Sequence, residues 1–137
     1  MIVDTSVLLA LLDTDDAAHD RVVAAFDETL ELLVISPLVL AEVDYLLQQR
    51  GGVAREVAGM RELASGAWDI ASFTPEDLAD AMSVVEKYPA LKVGATDASL
   101  VVLADRYRTH TIATLDRRHF EILRGLDGKP FDLVPAP

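Results

Sequence analysis

Four carboxylate residues have the chemistry and spacing of a candidate metal site, because each is predicted at the end of a strand or on a helix that packs inward. They are Asp4, Glu42, Asp97 and Asp116. The segments that carry them contain no cysteine, lysine or histidine, so the carboxylates would repel one another in an empty pocket. Oxygen ligands without sulfur or imidazole select a hard cation, Mg²⁺ or Mn²⁺. Such an ion activates water and stabilises a leaving oxygen, which suits phosphodiester hydrolysis.

Asp4 and Asp116 each follow a predicted strand. Asp4 ends the first apolar run and precedes Thr5 and Ser6, which begin a helical pattern, and Asp116 ends the run 111–115. Ligands of an open parallel sheet bind at the carboxyl ends of its strands, so both aspartates are expected at one edge. The alternatives are a helix cap at Asp4 and an ordinary turn aspartate at Asp116.

Glu42 and Asp97 are predicted on inward helix faces. On a helical wheel Glu42 falls between Leu38 and Leu46, within an apolar arc. A carboxylate buried there destabilises the fold unless it is paired, protonated or bound to a metal, and the alternative is a buried salt bridge to an arginine. Asp97 lies four residues before Val101 at a helix start, where the alternative is a first-turn acid that interacts with the helix dipole.

Three hydroxyl residues accompany the acids in the sequence. Thr5 and Ser6 follow Asp4, and Thr114 lies two residues before Asp116. Hydroxyls this close can orient metal-binding carboxylates or a bound water. The alternative is that they are capping and strand hydroxyls.

The charge of the chain is acidic but unevenly distributed. A net charge of −11 argues against general affinity for nucleic acid, since neutralisation of phosphates supplies most of such binding. Residues 106–137, however, hold six of the twelve lysine and arginine residues and only four of the 23 acids. Arg117 and Arg118 are therefore candidate contacts to substrate phosphates, and the alternative is that they are solvated surface arginines.

Composition excludes several classes of protein. Without cysteine there are no disulfides, zinc–thiolate sites or thiol nucleophiles. The N-terminus has no basic segment before Asp4, unlike a signal peptide, and the longest apolar runs are too short for a bilayer. We therefore expect a cytoplasmic protein that does not contact membranes. The hydrophobic content of 51% suggests apolar surface reserved for a partner or a second copy.

Strand and helix patterns alternate along one domain, residues 1–137. Strands are predicted in the first apolar run and at 32–35, 68–73, 111–115 and 131–134. Helices are predicted from Thr5 or Ser6 to Leu12 and at 17–30, 37–49, 53–64, 74–88, 98–107 and 117–124. Alternation of this kind predicts an α/β sandwich with a parallel sheet.

Four segments together resemble the ordered motifs of a PIN-domain nuclease. They are Asp4-Thr5-Ser6-Val7, Glu42 in a helix after Ser36-Pro37, Asp97-Ala98-Ser99-Leu100-Val101, and Thr114-Leu115-Asp116. The likeness covers essentially the whole chain, and its length resembles that of VapC-type toxins of prokaryotic toxin–antitoxin pairs. The resemblance implies a three-layer α/β/α sandwich with a mostly parallel central sheet.

The resemblance also implies a function and partners. The function would be Mg²⁺- or Mn²⁺-dependent endoribonuclease activity on single-stranded or looped RNA, in a homodimer that a cognate antitoxin protein inhibits. The four acids would be both metal ligands and catalytic residues, and Thr114 would be the accompanying hydroxyl. A PIN-like nuclease of RNA maturation or of DNA is an alternative within the same fold.

Two alternatives come from other classes of protein. A phospho-accepting receiver domain also has an acidic Mg²⁺ pocket, but it needs paired acids after its first strand and a lysine after a late one. Here Asp4 stands alone and Thr114-Leu115-Asp116 contains no lysine. The other alternative is a catalytically silent relative, against which the intact acids argue.

Overall fold

A five-stranded parallel sheet forms the centre of the fold. The computed structural model describes all 137 residues and contains β1 (Ile2–Val3), β2 (Val34–Ile35), β3 (Asp69–Ile70), β4 (Thr111–Ala113) and β5 (Asp132–Val134). The strands lie in the order β3-β2-β1-β4-β5, and all four pairings are parallel. The predicted α/β fold with a parallel sheet is confirmed, although each strand is shorter than the apolar run that predicted it.

Six helices cover the two faces of the sheet. They are α1 (Thr5–Leu12), α2 (His19–Asp27), α3 (Pro37–Leu63), α4 (Pro75–Lys87), α5 (Ala95–Arg106) and α6 (Arg117–Phe120). Crossovers between parallel strands are right-handed in nearly all proteins, and β4 and β5 are added on the opposite side of β1 from β2 and β3, so α1 to α3 are expected on one face and α4 to α6 on the other. The packing of α1 against α2 and α3, and of α4 against α5, agrees with this three-layer arrangement. No helix combines the length and apolarity needed to cross a membrane.

The carboxyl ends of β1 and β4 form the topological switch point of the sheet. Val3 in β1 pairs with Ile35 of β2 on one side and with Ala113 of β4 on the other. The chain leaves β1 towards β2 and later returns to add β4 at the opposite side, which opens a crevice between the two connections. Asp4 and Thr114 follow these two strands, so the sheet itself brings them to this crevice.

A glycine joint divides α3 into the two helices expected at 37–49 and 53–64. Gly52 has a φ of 78°, in the left-handed region that glycine adopts without strain. In a straight helix the twelve residues from Leu47 to Gly59 would span about 18 Å. Here Gly59 lies directly against Leu47, so the second half folds back on the first. Gln48 and Glu56 close the same bend with a side-chain hydrogen bond of 3.1 Å.

Burial of α5 fixes one side of the crevice. Every residue from Ala98 to Ala104 is buried, so this helix is surrounded by the core rather than lying on the surface. A helix that is apolar all round cannot rotate without exposing part of the core. The first turn of α5, which contains Asp97, is consequently held in place against the sheet.

A capping box and an ion pair join the start of α4 to the end of α5. The Thr74 backbone N–H donates to Asp77 Oδ2 at 2.8 Å, and the Asp77 N–H donates to Thr74 Oγ1 at 3.2 Å. Arg106, in the last turn of α5, pairs with the same carboxylate and donates to the Ser72 carbonyl at 2.7 Å. These contacts fasten the helix pair that carries Asp97.

Replacing Asp77 with asparagine should lower the free energy of unfolding by about 0.5 kcal/mol at neutral pH, as expected for a surface ion pair. The hydrogen bond from Arg106 lowers the pKa of Asp77 below 3.8, so folding favours the ionised form. That stabilisation is present above the unfolded-state pKa and is lost as pH falls through the folded-state pKa. Urea unfolding of the wild type and of Asp77→Asn at several pH values should therefore show that their difference in free energy of unfolding shrinks below pH 3.8. A difference independent of pH would contradict this account.

Candidate active site

One pocket at the carboxyl edge of the sheet is lined by all four predicted acids. Its volume is about 380 Å³. Asp4 follows β1, Glu42 lies on α3, Asp97 lies in the first turn of α5, and Asp116 precedes α6. Four connections that are distant in sequence therefore contribute one carboxylate each. The lining also contains a fifth carboxylate and one guanidinium, those of Asp16 and Arg50.

Asp4 is the buried carboxylate of the pocket, with a relative exposure of 6%. Its Oδ2 accepts hydrogen bonds from Thr114 Oγ1 at 2.7 Å and from Ser6 Oγ at 3.0 Å. Burial raises the pKa of Asp4 above 3.8, the Thr114 hydrogen bond lowers this pKa, and the negative charge of Asp97 raises it further. The net result is a raised pKa, so the folded protein disfavours the charged form of Asp4.

The two hydroxyls that hold Asp4 also hold the loop after β4. Ser6 Oγ accepts from the Leu115 N–H at 2.8 Å, and Thr114 Oγ1 accepts from the Asp116 N–H at 3.1 Å. The hydroxyls lie 3.3 Å apart. A single hydrogen-bonded unit thus connects Asp4 at the end of β1 to the backbone of Asp116, which fixes the two predicted acids relative to each other.

The Thr5 hydroxyl is buried without a partner. Thr5 has a relative exposure of 5% and lines the pocket, yet its Oγ1 forms no hydrogen bond within the protein. Buried hydroxyls are nearly always satisfied, so this one has hydrogen-bonding capacity left for a molecule in the pocket. A water molecule or a hydrated ion would be a suitable partner.

The donor set fits Mg²⁺ or Mn²⁺ held partly through water. As positioned, no three histidine, aspartate or glutamate side chains are close enough together to form a preassembled ion cage. Mg²⁺ does not require one, because it keeps several water ligands and commonly uses only one or two carboxylates directly. The oxygen-rich lining and the unpartnered Thr5 hydroxyl are consistent with that mode of binding.

Glu42 faces the pocket but is exposed, so the expected burial on the apolar face of its helix was wrong. The buried face of this part of α3 consists of Val39, Val43 and Leu47. The arc next to them borders an open crevice rather than the core, which explains why a carboxylate is tolerated there. Glu42 forms no ion pair with any arginine, so the alternative of a structural salt bridge also fails.

An imidazole contacts one of the acids, contrary to the expectation of a site without histidine. His119 Nδ1 lies 2.7 Å from Asp97 Oδ2, and both side chains are mostly buried. With Asp97 ionised, this nitrogen donates the hydrogen bond. The local sequence around Asp97 gave no sign of the contact, because α6 reaches Asp97 only through the fold. The contact involves only Oδ2 of Asp97, so His119 does not restrain the other carboxylate oxygen, Oδ1.

Asp116 lies exposed at the rim of the pocket, and the adjacent arginines point elsewhere. Arg117 binds Glu121 at 3.3 Å and the carbonyl of Pro135 at 3.2 Å. Arg118 is exposed to solvent. Neither arginine lines the pocket, so any contact of theirs with a substrate would lie beyond its rim.

Sequence reasoning missed Asp16 and Arg50 in the pocket lining. Asp16 lies in the turn before α2, where its Oδ1 accepts from the Ala18 N–H at 2.7 Å. Arg50 did leave a signal, because it follows Glu42 and Leu46 at four-residue intervals along one side of α3. The residue lies one position beyond the helix predicted at 37–49, however, so this spacing was not used.

Comparison with known proteins places the chain in a family. Residues 1–125 match the family model of the PIN domain. Ribonuclease VapC26 of Mycobacterium tuberculosis (strain ATCC 25618 / H37Rv) is 48% identical over 135 residues, which are 98% of this chain and 100% of that protein.

Two solved structures are similar in fold. The crystal structure of VapC20 from Mycobacterium tuberculosis, a toxin that cleaves the sarcin–ricin loop, has a TM-score of 0.74 and 22% identity, covering 81% of this chain and 85% of that one. A toxin–antitoxin complex from Klebsiella pneumoniae has a TM-score of 0.67 and 17% identity, covering 98% and 95%. The match to the family model and the identity to VapC26 decide the assignment: this chain belongs to the PIN-domain family and, within it, to the VapC-type proteins.

Proposed function

We propose that this protein is a Mg²⁺- or Mn²⁺-dependent endoribonuclease, the toxin of a type II toxin–antitoxin pair, that cleaves phosphodiesters in single-stranded or looped RNA. The observation that carries the proposal is the meeting of four distant carboxylates in one pocket at the switch point of the sheet. The ribonuclease name of a relative that is 48% identical over nearly the whole chain supports RNA as the substrate.

In this mechanism Asp4 and Asp97 would be the principal metal ligands, and Glu42 and Asp116 would complete the site directly or through water. The chemistry that a divalent ion bound by these residues would supply is activation of a water molecule and stabilisation of the leaving oxygen. Thr114 and Ser6 keep the Asp4 carboxylate oriented by donating to its Oδ2. His119 does the same for Asp97 by donating to Oδ2 of that residue.

Replacing Asp4 with asparagine should reduce RNA cleavage at least about 100-fold. Mutating a residue that only hydrogen-bonds to a metal ligand already lowers metal affinity or activity about 10- to 100-fold, and Asp4 is proposed to be a ligand itself. In metal-free buffer the melting temperature should stay the same or rise, since the change removes a buried charge that Asp97 repels. Cleavage of a labelled RNA with Mn²⁺ and thermal unfolding with EDTA measure the two effects.

Asp80→Asn is the matched control for Asp4→Asn, because Asp80 is an exposed aspartate on α4 outside the pocket. It should cleave RNA like the wild type. Undiminished cleavage by Asp4→Asn would contradict the proposed site. A large fall in its melting temperature without metal would instead identify Asp4 as a structural residue. DNA of the same sequence, tested in parallel, distinguishes an RNase from a DNase.

Arg118 is the better candidate of the two arginines for binding RNA outside the pocket. Its side chain is exposed, whereas Arg117 would have to give up Glu121 and the Pro135 carbonyl to reach a phosphate. Arg118→Ala should weaken RNA binding and reduce the slope of log K against log salt by about 0.7, the value for one phosphate contact on a single strand. Titrations in an Asp4→Asn background measure the slope, and an unchanged slope would remove Arg118 from the proposal.

Antitoxin binding is proposed along α3, and the protein is proposed to be a homodimer. The solved toxin–antitoxin complex of similar fold supports a protein partner. On α3 the apolar side chains of Tyr45, Val53 and Val57 are exposed, whereas Leu40 and Met60 pack against the core. The exposed residues are therefore the ones available to a partner.

The double change Val53→Ser and Val57→Ser should weaken capture of the antitoxin without unfolding the toxin, because both side chains are exposed. Co-expression with the cognate antitoxin, followed by pull-down, measures capture. Light scattering of the free toxin measures its oligomeric state. Full capture by the double variant would exclude this part of α3 from the antitoxin surface.

A further inference from the structure

Arg50 is the one cationic side chain in the lining of the acidic pocket. Five carboxylates share the lining with it, those of Asp4, Asp16, Glu42, Asp97 and Asp116. Its side chain is exposed and lies in the last turn of α3 before the Gly52 joint. A guanidinium at this position is the only fixed positive charge that a polyanion meets inside the pocket.

The guanidinium of Arg50 is not used by the protein itself. It forms no ion pair and no side-chain hydrogen bond, although five carboxylates line the same pocket. Arg55, five residues later on the same element, is different, because its guanidinium binds Asp13 Oδ1 at 3.0 Å. Arg50 therefore keeps its planar set of donors free for a ligand, and such a set matches the oxygens of a phosphate.

The position of Arg50 along α3 selects which phosphate it can reach. Arg50 and Glu42 are eight residues apart, which is about 12 Å along the helix axis at 1.5 Å per residue. The two residues therefore lie at opposite ends of the part of α3 that lines the pocket. With the cleaved phosphate at the proposed metal-binding acids, Arg50 is suited to a neighbouring phosphate of the same strand.

We propose that Arg50 binds a phosphate of the RNA that flanks the cleaved bond and thereby holds the strand in the acidic pocket. This inference rests on the proposed ribonuclease function. It also addresses how a protein with a net charge of −11 retains a polyanion at its most acidic site. Arg50 would then set the affinity for RNA and leave the chemical step to the carboxylates.

The test measures RNA binding separately from cleavage. Asp4→Asn serves as the background, and Arg50→Ala, Arg50→Gln and Arg55→Ala are each added to it. Binding of a short fluorescein-labelled single-stranded RNA of mixed sequence is followed by anisotropy at several salt concentrations. Arg50→Ala and Arg50→Gln should weaken binding about tenfold at low salt and reduce the salt slope by about 0.7. Arg55→Ala, the matched control, should leave the slope unchanged.

Kinetics in the active protein supply the second measurement. Arg50→Ala should raise KM for RNA about tenfold while kcat stays within about twofold, the signature of a contact made equally in ground state and transition state. Thermal unfolding in metal-free buffer tests the rival role, in which Arg50 only offsets the charge of the empty acids. A lowered melting temperature together with an unchanged salt slope would establish that role and overturn the proposal.

The outcomes also separate this inference from the function on which it rests. A wild-type protein that cleaves RNA while Arg50→Ala binds it with the same affinity and slope overturns the inference alone. A wild-type protein that never cleaves RNA with Mn²⁺ overturns the proposed function, whatever Arg50 does. Arg50→Gln retains most of the aliphatic stem, so a binding loss shared by both variants is due to the guanidinium rather than to packing.

Discussion

The burial of Asp4 beside other carboxylates at one edge of the sheet is the constraint on which the site depends. The fold brings Asp4, Asp97, Glu42 and Asp116 to a common pocket, and Asp4 must enter it as a buried acid. Burial and the charge of Asp97 raise the pKa of Asp4, while the hydroxyl of Thr114 opposes that shift. Burying Asp4 in this site therefore lowers the stability of the fold. A ligand that favours the charged form of Asp4 would offset this loss of stability.

The rest of the molecule supplies the rigidity that such a site needs. Asp97 begins a helix that the core surrounds, and Asp4 is tied through Ser6 and Thr114 to the loop after β4. The Asp77–Arg106 pair fastens the outer helix of that layer to the inner one. Acids that repel one another stay together because the backbone elements that carry them cannot separate without opening the core.

Sequence reasoning succeeded where a residue's place depends on its own strand or helix, and it failed where the place depends on the fold. Asp4 and Asp116 could be located because each ends an apolar run, and parallel strands share an edge. The exposure of Glu42 could not be predicted, because a helical wheel does not distinguish a face that packs on the core from one that borders an open crevice. The contact of His119 with Asp97 was beyond reach, since 22 residues and a strand separate them. The place of Arg50 in the pocket could not be predicted either, because the residue lies one position beyond the helix predicted at 37–49.

The bend at Gly52 gives α3 two sides with different neighbours. Its first half ends at the acidic pocket with Arg50, and its second half begins with the exposed Val53, only three residues later. The angle between the halves is set locally, by Gln48 with Glu56 and by the packing of Gly59 on Leu47. The two halves of α3 therefore meet at one joint, with the acidic pocket on one side of it and the exposed apolar side chains on the other.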